Sequence, residues 1–323
     1  MRKSVVSLLA ALLVIAALFV VTPWPGVLLI RYIFDKGAAE AATRLEQLVP
    51  ASIQVTTLAY DDADPDAILD IYRAPNFDPE LPTVVWIHGG GFVSGRRSDI
   101  ENYLKVLAGE GFTVVNVDYT IAPSAHYPSP VRQVNRALEF LTREAGSLGI
   151  DASRIVLAGD SAGAQIAAQT AAIIANPAYG ELVGVTPGAA RDQIVGALLF
   201  CGVYDITGLG HGGGILGWFV HVTAWAYSGE RNWRDSATFA TMSLGPHLTP
   251  EFPPAFISAG NADPLAPQSV GIGEGLAAQG VSVETLFFPP DYTPPLGHEY
   301  QFDLTTSAGQ LVMSRAAAWM RGL

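Results

Sequence analysis

Gly159-Asp160-Ser161-Ala162-Gly163 sets a serine between two glycines, each two residues away. The apolar run Arg154–Ala158 precedes it, and an Ala-rich segment to Ala175 follows. This pattern suits a nucleophile on a sharp turn between strand and helix, where the positions two either side must be small. Such a turn projects the Ser161 hydroxyl at the carboxyl edge of a sheet, and the helix N-terminus favours nearby negative charge. Attack by that hydroxyl on an acyl carbon develops an oxyanion, so backbone N–H groups must already point at it. His88-Gly89-Gly90-Gly91, after the apolar run Thr83–Ile87, fits that need, because glycine brings its amide close without a Cβ in the way. The Ala162 amide is a further donor.

A serine nucleophile needs a general base, and histidine has the suitable pKa at neutral pH. Of six histidines (His88, His126, His211, His221, His247 and His298), only His298 follows the last β-rich run. That is where the chain order nucleophile, acid, base expects it. Asp263, in Gly260-Asn261-Ala262-Asp263-Pro264-Leu265, ends the preceding strand and is the first choice of acid. Asp205 is second and Asp291, very near His298 in sequence, is third. His211-Gly212-Gly213-Gly214 repeats the letters of the first glycine loop, but it comes after Ser161 inside an irregular insertion. It reads as flexible cap.

The elements that must position these residues alternate. β-rich runs fall at Thr83–Ile87, Thr113–Asp118, Arg154–Ala158, Val195–Cys201, Ala255–Ala259 and Val281–Phe288, near-continuously apolar as in strands buried on both faces. Ile53–Tyr60 and Ala67–Ala74, joined by an acidic turn at Asp61–Asp66, read as an opening hairpin. That acidic turn lacks the glycine and closing glutamate of a calcium loop, so it reads as solvated. Ser98-Asp99-Ile100-Glu101 predicts a capping box at a helix start, and Ser129-Pro130 predicts a second helix start. The fold class is α/β: an open, mostly parallel sheet with helices on both faces. Ile206–Pro250, rich in Gly, Trp and His with no clear strand, reads as a cap over the site. Trp218, Trp225 and Trp233 within it either line an acyl pocket or pack on the main body. Arg96-Arg97 reads as a solvated pair.

Composition limits the alternatives. The 323 residues carry a formal net charge of −12, which argues against nucleic acid as a partner. The single Cys201 excludes an intrachain disulfide and a thiolate metal cluster, and it reads as a buried small hydrophobe. No metal or cofactor is expected.

From Ser4 to Ile30 there is no charged residue, and Val5–Val21 is almost wholly aliphatic. That run is longer than a signal-peptide centre and has no well-placed small-residue cleavage site. It predicts an uncleaved N-terminal membrane helix, with Trp24, Tyr32 and Phe34 near the headgroups. Export after signal cleavage is the alternative. The expected organisation is an anchor or signal segment at 1–36 and a catalytic domain at 37–323, with cap elements at about 37–50 and 206–250. With the N-terminus in the cytoplasm, the catalytic domain lies outside it.

Together, His88–Gly91, Gly159–Gly163, Asp263-Pro264-Leu265 and Gly297-His298-Glu299-Tyr300 resemble the hormone-sensitive-lipase-like esterases. Asp118-Tyr119-Thr120-Ile121-Ala122-Pro123 and Asp151-Ala152-Ser153-Arg154-Ile155 are similar to two further segments of that family. The resemblance runs from about Leu81 to the C-terminus. It implies an α/β-hydrolase fold with an N-terminal and an inserted cap, and metal-free hydrolysis of carboxylic esters. It also implies Gly90, Gly91 and Ala162 as oxyanion donors, with His88 and Gly89 shaping the loop. Thr120, Ser124 and Ala164 stand where the family has Arg, Glu and a second Gly. The expected function is two-step hydrolysis of small-molecule esters, short-to-medium or lipophilic, by Ser161, His298 and Asp263. An amidase, a peptidase, a lactone hydrolase or a non-catalytic receptor on the same scaffold are the alternatives.

Overall fold

All eight β-rich runs form strands of one sheet in the computed structural model, which describes Ser7, residues 17–210 and residues 212–323. They are β1 (Gln54–Ala59), β2 (Ile68–Arg73), β3 (Thr83–Ile87), β4 (Val114–Val117), β5 (Ile155–Asp160), β6 (Ile194–Phe200), β7 (Ala255–Ala259) and β8 (Val283–Phe287). Their order is β1-β2-β4-β3-β5-β6-β7-β8. The hairpin β1–β2 and the pair β2–β4 are antiparallel, and every other pair is parallel. β3 and β5 are buried throughout because helices cover both faces of the sheet.

The period-2 alternation of side chains divides the core. Val85, Ile87 and Leu157 face a layer holding α3 (Ser129–Arg143), α4 (Ala162–Ala175) and α6 (Ala266–Ala278). Val84, Trp86 and Val156 face α2 (Arg97–Gly109) and α7 (Ser307–Arg321). Between β6 and β7 the chain leaves the sheet for the cap. There α5 (Gly214–Ser228) is followed by short helical turns, without a strand.

The expected capping box at Ser98 does not form. Helix α2 begins at Arg97, its N-cap is Arg96, and no side chain of its own caps it. The Asp118 carboxylate takes that place, accepting from the Arg97 amide at 2.9 Å and from its guanidinium at 3.0 Å. Asp70 binds the same guanidinium at 2.7 Å, so Arg97 is structural rather than a solvated partner of Arg96. Helix α3 starts at Ser129 with Pro128 as N-cap and no side-chain cap bond. At the family's Arg position, Thr120 donates to Asp66 and accepts from Gln133, both at 2.8 Å.

The N-terminal region departs most from expectation. Helix α1 (Trp24–Leu45) runs through the expected boundary at residue 36 and packs on the main body. Val27 and Ile30 are buried in the core, and the Phe34 ring lies 5.8 Å from that of Phe219 on α5. Arg31 donates to the carbonyls of Val93 at 2.6 Å and Ala122 at 3.0 Å. Trp24, Tyr32 and Phe34 therefore belong to a helix docked on protein. Gly26 makes this possible, since a Cβ there would meet Val222 at 2.9 Å. Among the described residues no helix is long and apolar enough to cross a membrane. Most of the run Ser4–Val21 lies outside those residues, as does His211.

A chain beginning at Gly37 should lose the burial of Val27 and Ile30, about 3–6 kcal/mol in total at 1.5–3 kcal/mol per side chain. A chain beginning at Trp24 should not. Urea unfolding midpoints of the two chains, set against the full chain, measure the difference.

Candidate active site

Ser161 sits at the junction of β5 and α4 in the left-handed region (φ 50°, ψ −115°), a conformation costly for a residue with a Cβ. Its amide donates to the Phe200 carbonyl at 2.8 Å, which ties the strained turn to β6. Gly159 and Gly163 are required by contact. A Cβ on Gly163 would run into the Ile87 and His88 carbonyls, and one on Gly159 would lie 2.7 Å from the Ile87 carbonyl. The two glycines thus bring the nucleophile turn against the end of β3, where the glycine loop begins.

That loop has Gly90 at φ 109° and Gly91 at φ 60°. A Cβ on Gly90 would collide with the Ser94 carbonyl, so the conformation requires glycine. The Gly90 and Gly91 amides engage no acceptor among the described residues, and Ala162, first in α4, has no intrahelical one. His88 is buried beneath the loop, its ring stacked on Tyr119 at 4.3 Å, and its Nδ1 pairs with the Gly89 carbonyl at 2.8 Å. Burial opposes its protonation, but Asp118, 3.4 Å from Nε2, raises its pKa on balance.

Three expected residues come together across the carboxyl edge of the sheet. His298 Nε2 lies 3.0 Å from Ser161 Oγ, and His298 Nδ1 lies 2.9 Å from Asp263 Oδ2. The Asp263 side chain is wholly buried, and its other oxygen accepts from the Leu265 amide at 2.8 Å. The competing acids are elsewhere. Asp205 caps its own turn through Thr207 and binds Ser243, and Asp291 is exposed.

Asn261 fixes the acid loop to the base loop. It donates to the Tyr292 carbonyl at 3.1 Å and the Pro290 carbonyl at 3.3 Å, and accepts from the Leu296 amide at 2.9 Å. The contacts span about thirty residues of sequence, so no local signal pointed to Asn261. Glu299 was also not anticipated. It takes a left-handed conformation (φ 61°) and brings Oε1 to 3.7 Å from His298 Nε2. Asp160 is a third acid, buried under the loop with Oδ1 accepting from Trp86 Nε1 at 2.9 Å. Burial, then the charge of Glu299, pushes the Asp160 carboxyl up. Glu299 is raised too, first by enclosure in the site, although 38% of its side chain remains accessible to the cavity it lines.

Burial opposes protonation of His298, but Cys201, Asp263 and Glu299 outweigh it, and its pKa lies well above that of a free imidazole. The Cys201 thiol is itself pushed up by burial, so it acts on His298 as a neutral neighbour and the two carboxylates carry the charge effect. Donor atoms of Cys201, Asp263 and His298 lie within 4.8 Å of one another, the one such group among the described residues. His298 Nδ1 and Asp263 Oδ2 are already joined there, which leaves neither free as a ligand without breaking that bond.

Ser161 and His298 open into a cavity of about 840 Å³. Its wall is mainly apolar and comes from both caps: Ile30, Ile33 and Phe34 of α1, and Ile215, Trp218 and Phe219 of α5. Trp233 also lines it, whereas Trp225 is buried away from it.

Removing the Glu299 charge should stabilise imidazolium less. In Glu299→Gln the acid limb of the kcat/KM–pH profile should therefore move to lower pH. A limb that stays in place would mean that Glu299 carries no charge where His298 titrates.

A family model described as the alpha/beta hydrolase fold matches residues 84–291. Esterase B from Lactobacillus rhamnosis superposes with a TM-score of 0.77 at 24% identity, covering 92% of this chain and 95% of that one. An esterase of Pyrobaculum calidifontis gives 0.73 at 22%, covering 92% of each chain. Esterase LipW of Mycobacterium marinum gives 0.70 at 24%, covering 91% of this chain and 88% of that one. The match of the family model over most of the chain, which takes in the glycine loop and the strand that leads to Ser161, places it: the chain belongs to the α/β-hydrolase fold family, in its hormone-sensitive-lipase-like group.

Proposed function

We propose that the protein is a serine carboxylesterase acting on esters with apolar acyl groups. The observation that carries this reading is the hydrogen-bonded series Ser161–His298–Asp263, at 3.0 and 2.9 Å, on the floor of an apolar cavity. In the first step Ser161 Oγ bonds to the ester carbon while His298 Nε2 takes its proton. Asp263 holds the imidazole tautomer through Nδ1–H and stabilises imidazolium. The amides of Gly90, Gly91 and Ala162 receive the oxyanion, and the protein supplies them without rearrangement. Collapse breaks the C–O bond to the alcohol, which leaves with the proton from His298. Water, deprotonated by His298, then attacks the acyl-enzyme; collapse releases the acid, and the proton returns to Ser161. His88 and Gly89 position the loop and touch no reacting atom.

The solved esterases with this fold support an ester rather than an amide substrate. The uncharged run Ser4–Ile30 supports anchoring of residues 4–21 in a membrane.

Three measurements test the reading. Ser161→Ala should abolish the acyl-enzyme burst on a nitrophenyl ester and lower kcat by up to about a millionfold. Turnover unchanged in that variant would remove Ser161 as nucleophile. In an acyl-length series kcat/KM should rise roughly fourfold for each added CH₂ that the cavity buries, at about 0.8 kcal/mol each. A matched series of nitroanilides should be turned over far more slowly. Anilide turnover equal to that of the esters would shift the assignment to an amidase.

A further inference from the structure

The cavity mouth and the exposed side of α1 are continuous. Ile33, Ile215 and Leu216 line the cavity and are also exposed, Ile215 by 87%. Beside them on α1, Leu28, Leu29 and Tyr32 form an exposed row, Tyr32 by 71%. These residues recur every three to four positions, opposite the buried Val27 and Ile30. Gly26 against Trp218, and Phe34 against Phe219, hold α1 and α5 side by side, so the two exposed rows rim one opening. A soluble monomer rarely leaves a contiguous apolar patch of this kind uncovered.

The chain itself indicates the occupant. N-terminal to α1 the described segment Leu18–Val21 is helical and exposed, and it belongs to the stretch Ser4–Ile30 that has no charge. The apolar rim is thus the direct continuation of a run suited to lipid. Trp24 and Tyr32 have rings of the kind enriched at headgroup depth. The net charge of −12 disfavours an anionic surface, so the attraction is apolar.

We propose that this rim lies on the surface of a zwitterionic bilayer, so that the cavity takes its substrates, acyl esters dissolved in the membrane, directly from lipid. The proposal rests on the esterase reading and adds the source of the ester and its path. Substrate leaves the bilayer between α1 and α5, passes Ile33 and Ile215, and reaches Ser161 without crossing water.

The test uses the full chain in phosphatidylcholine vesicles. Cys201 is buried, so Leu29→Cys offers the accessible thiol for a polarity-sensitive dye. Asp192→Cys is the control. It is exposed at the amino end of β6, at the sheet edge opposite the site. The dye at position 29 should shift to the blue on vesicles and the dye at 192 should not. Equal behaviour at both positions would overturn the docking.

The second arm is kinetic. Leu28, Leu29 and Tyr32 lie outside the cavity wall, and replacing all three with Glu leaves residues 4–21 intact. Turnover of a long-chain ester held in the vesicles should fall by roughly tenfold or more, as expected for removing buried apolar surface. Turnover of a water-soluble acetate ester should stay within about twofold. Equal change on both substrates, or none, would overturn the proposed path. A dimer in vesicle-free solution that this variant dissociates would assign the rim to a second copy and also overturn it. If the unmodified protein cleaves neither ester, the esterase reading fails on its own, while the dye still reports where the rim lies.

Discussion

Helix α4 can begin where it does only because Gly163 has no side chain. The Ile87 and His88 carbonyls occupy the space a Cβ would need, so the helix passes directly against the end of β3. That contact fixes the distance between two features remote in sequence, the strained Ser161 and the Gly89–Gly91 loop. The parallel pairing of β3 with β5, Ile87 opposite Gly159, sets both at one edge. The strain at Ser161 is held by the bond from its amide to Phe200 and by the buried strands on either side, which a peptide turn alone would not provide.

The base is positioned differently. His298 lies on a loop whose shape depends on Asn261 and Asp263, two neighbours at the end of β7, rather than on a strand of its own. Gly260 allows the close approach, because a Cβ there would meet the Leu296 and Gly297 carbonyls. So Ser161 is fixed by packing of backbone on backbone, while His298 is fixed by side-chain hydrogen bonds. The site also gathers three carboxyl groups, Asp160, Asp263 and Glu299, around one imidazole. Only Asp263 is hydrogen-bonded to it; burial raises the carboxyls of the other two, with Glu299 adding to the shift at Asp160 and Asp263 to that at Glu299.

What was legible in the sequence follows from how local each signal is. Strands β2 to β7 were readable because largely buried strands are written as short apolar runs bounded by turn residues, whereas the exposed β1 and the half-buried β8 showed through β-rich composition and the turns beside them. Ser161, Asp263 and His298 stood out because they follow β5, β7 and β8 in a fixed order, and the structure brings the three together. Asn261 was not, since its partners lie on a loop about thirty residues away. The capping box at Ser98 misled because Asp118, from a different strand, outcompetes a local serine for the end of α2. Helix α1 was the largest misreading. Its first turns belong to the uncharged stretch Ser4–Ile30, so composition alone does not mark Val27 and Ile30 as residues that the core buries.

That ambiguity has a physical basis. A helix that closes an apolar cavity must present apolar side chains to it, and one that meets lipid must present them outward. Helix α1 buries Val27 and Ile30 and leaves Leu28, Leu29 and Ile33 exposed, so the part before Arg31 has no polar face to mark an orientation. Its seat on the protein is set by the few groups that are not interchangeable with lipid-facing ones. Gly26 permits close contact with α5, and Arg31 satisfies the Val93 and Ala122 carbonyls beside the glycine loop. Through Arg31 the cap is tied to the same loop that carries the oxyanion amides, since Val93 and Phe92 follow Gly91 directly. One guanidinium thus joins a wall of the cavity to the backbone just after Gly91, which the Ala122 amide also holds through the Phe92 carbonyl at 2.8 Å.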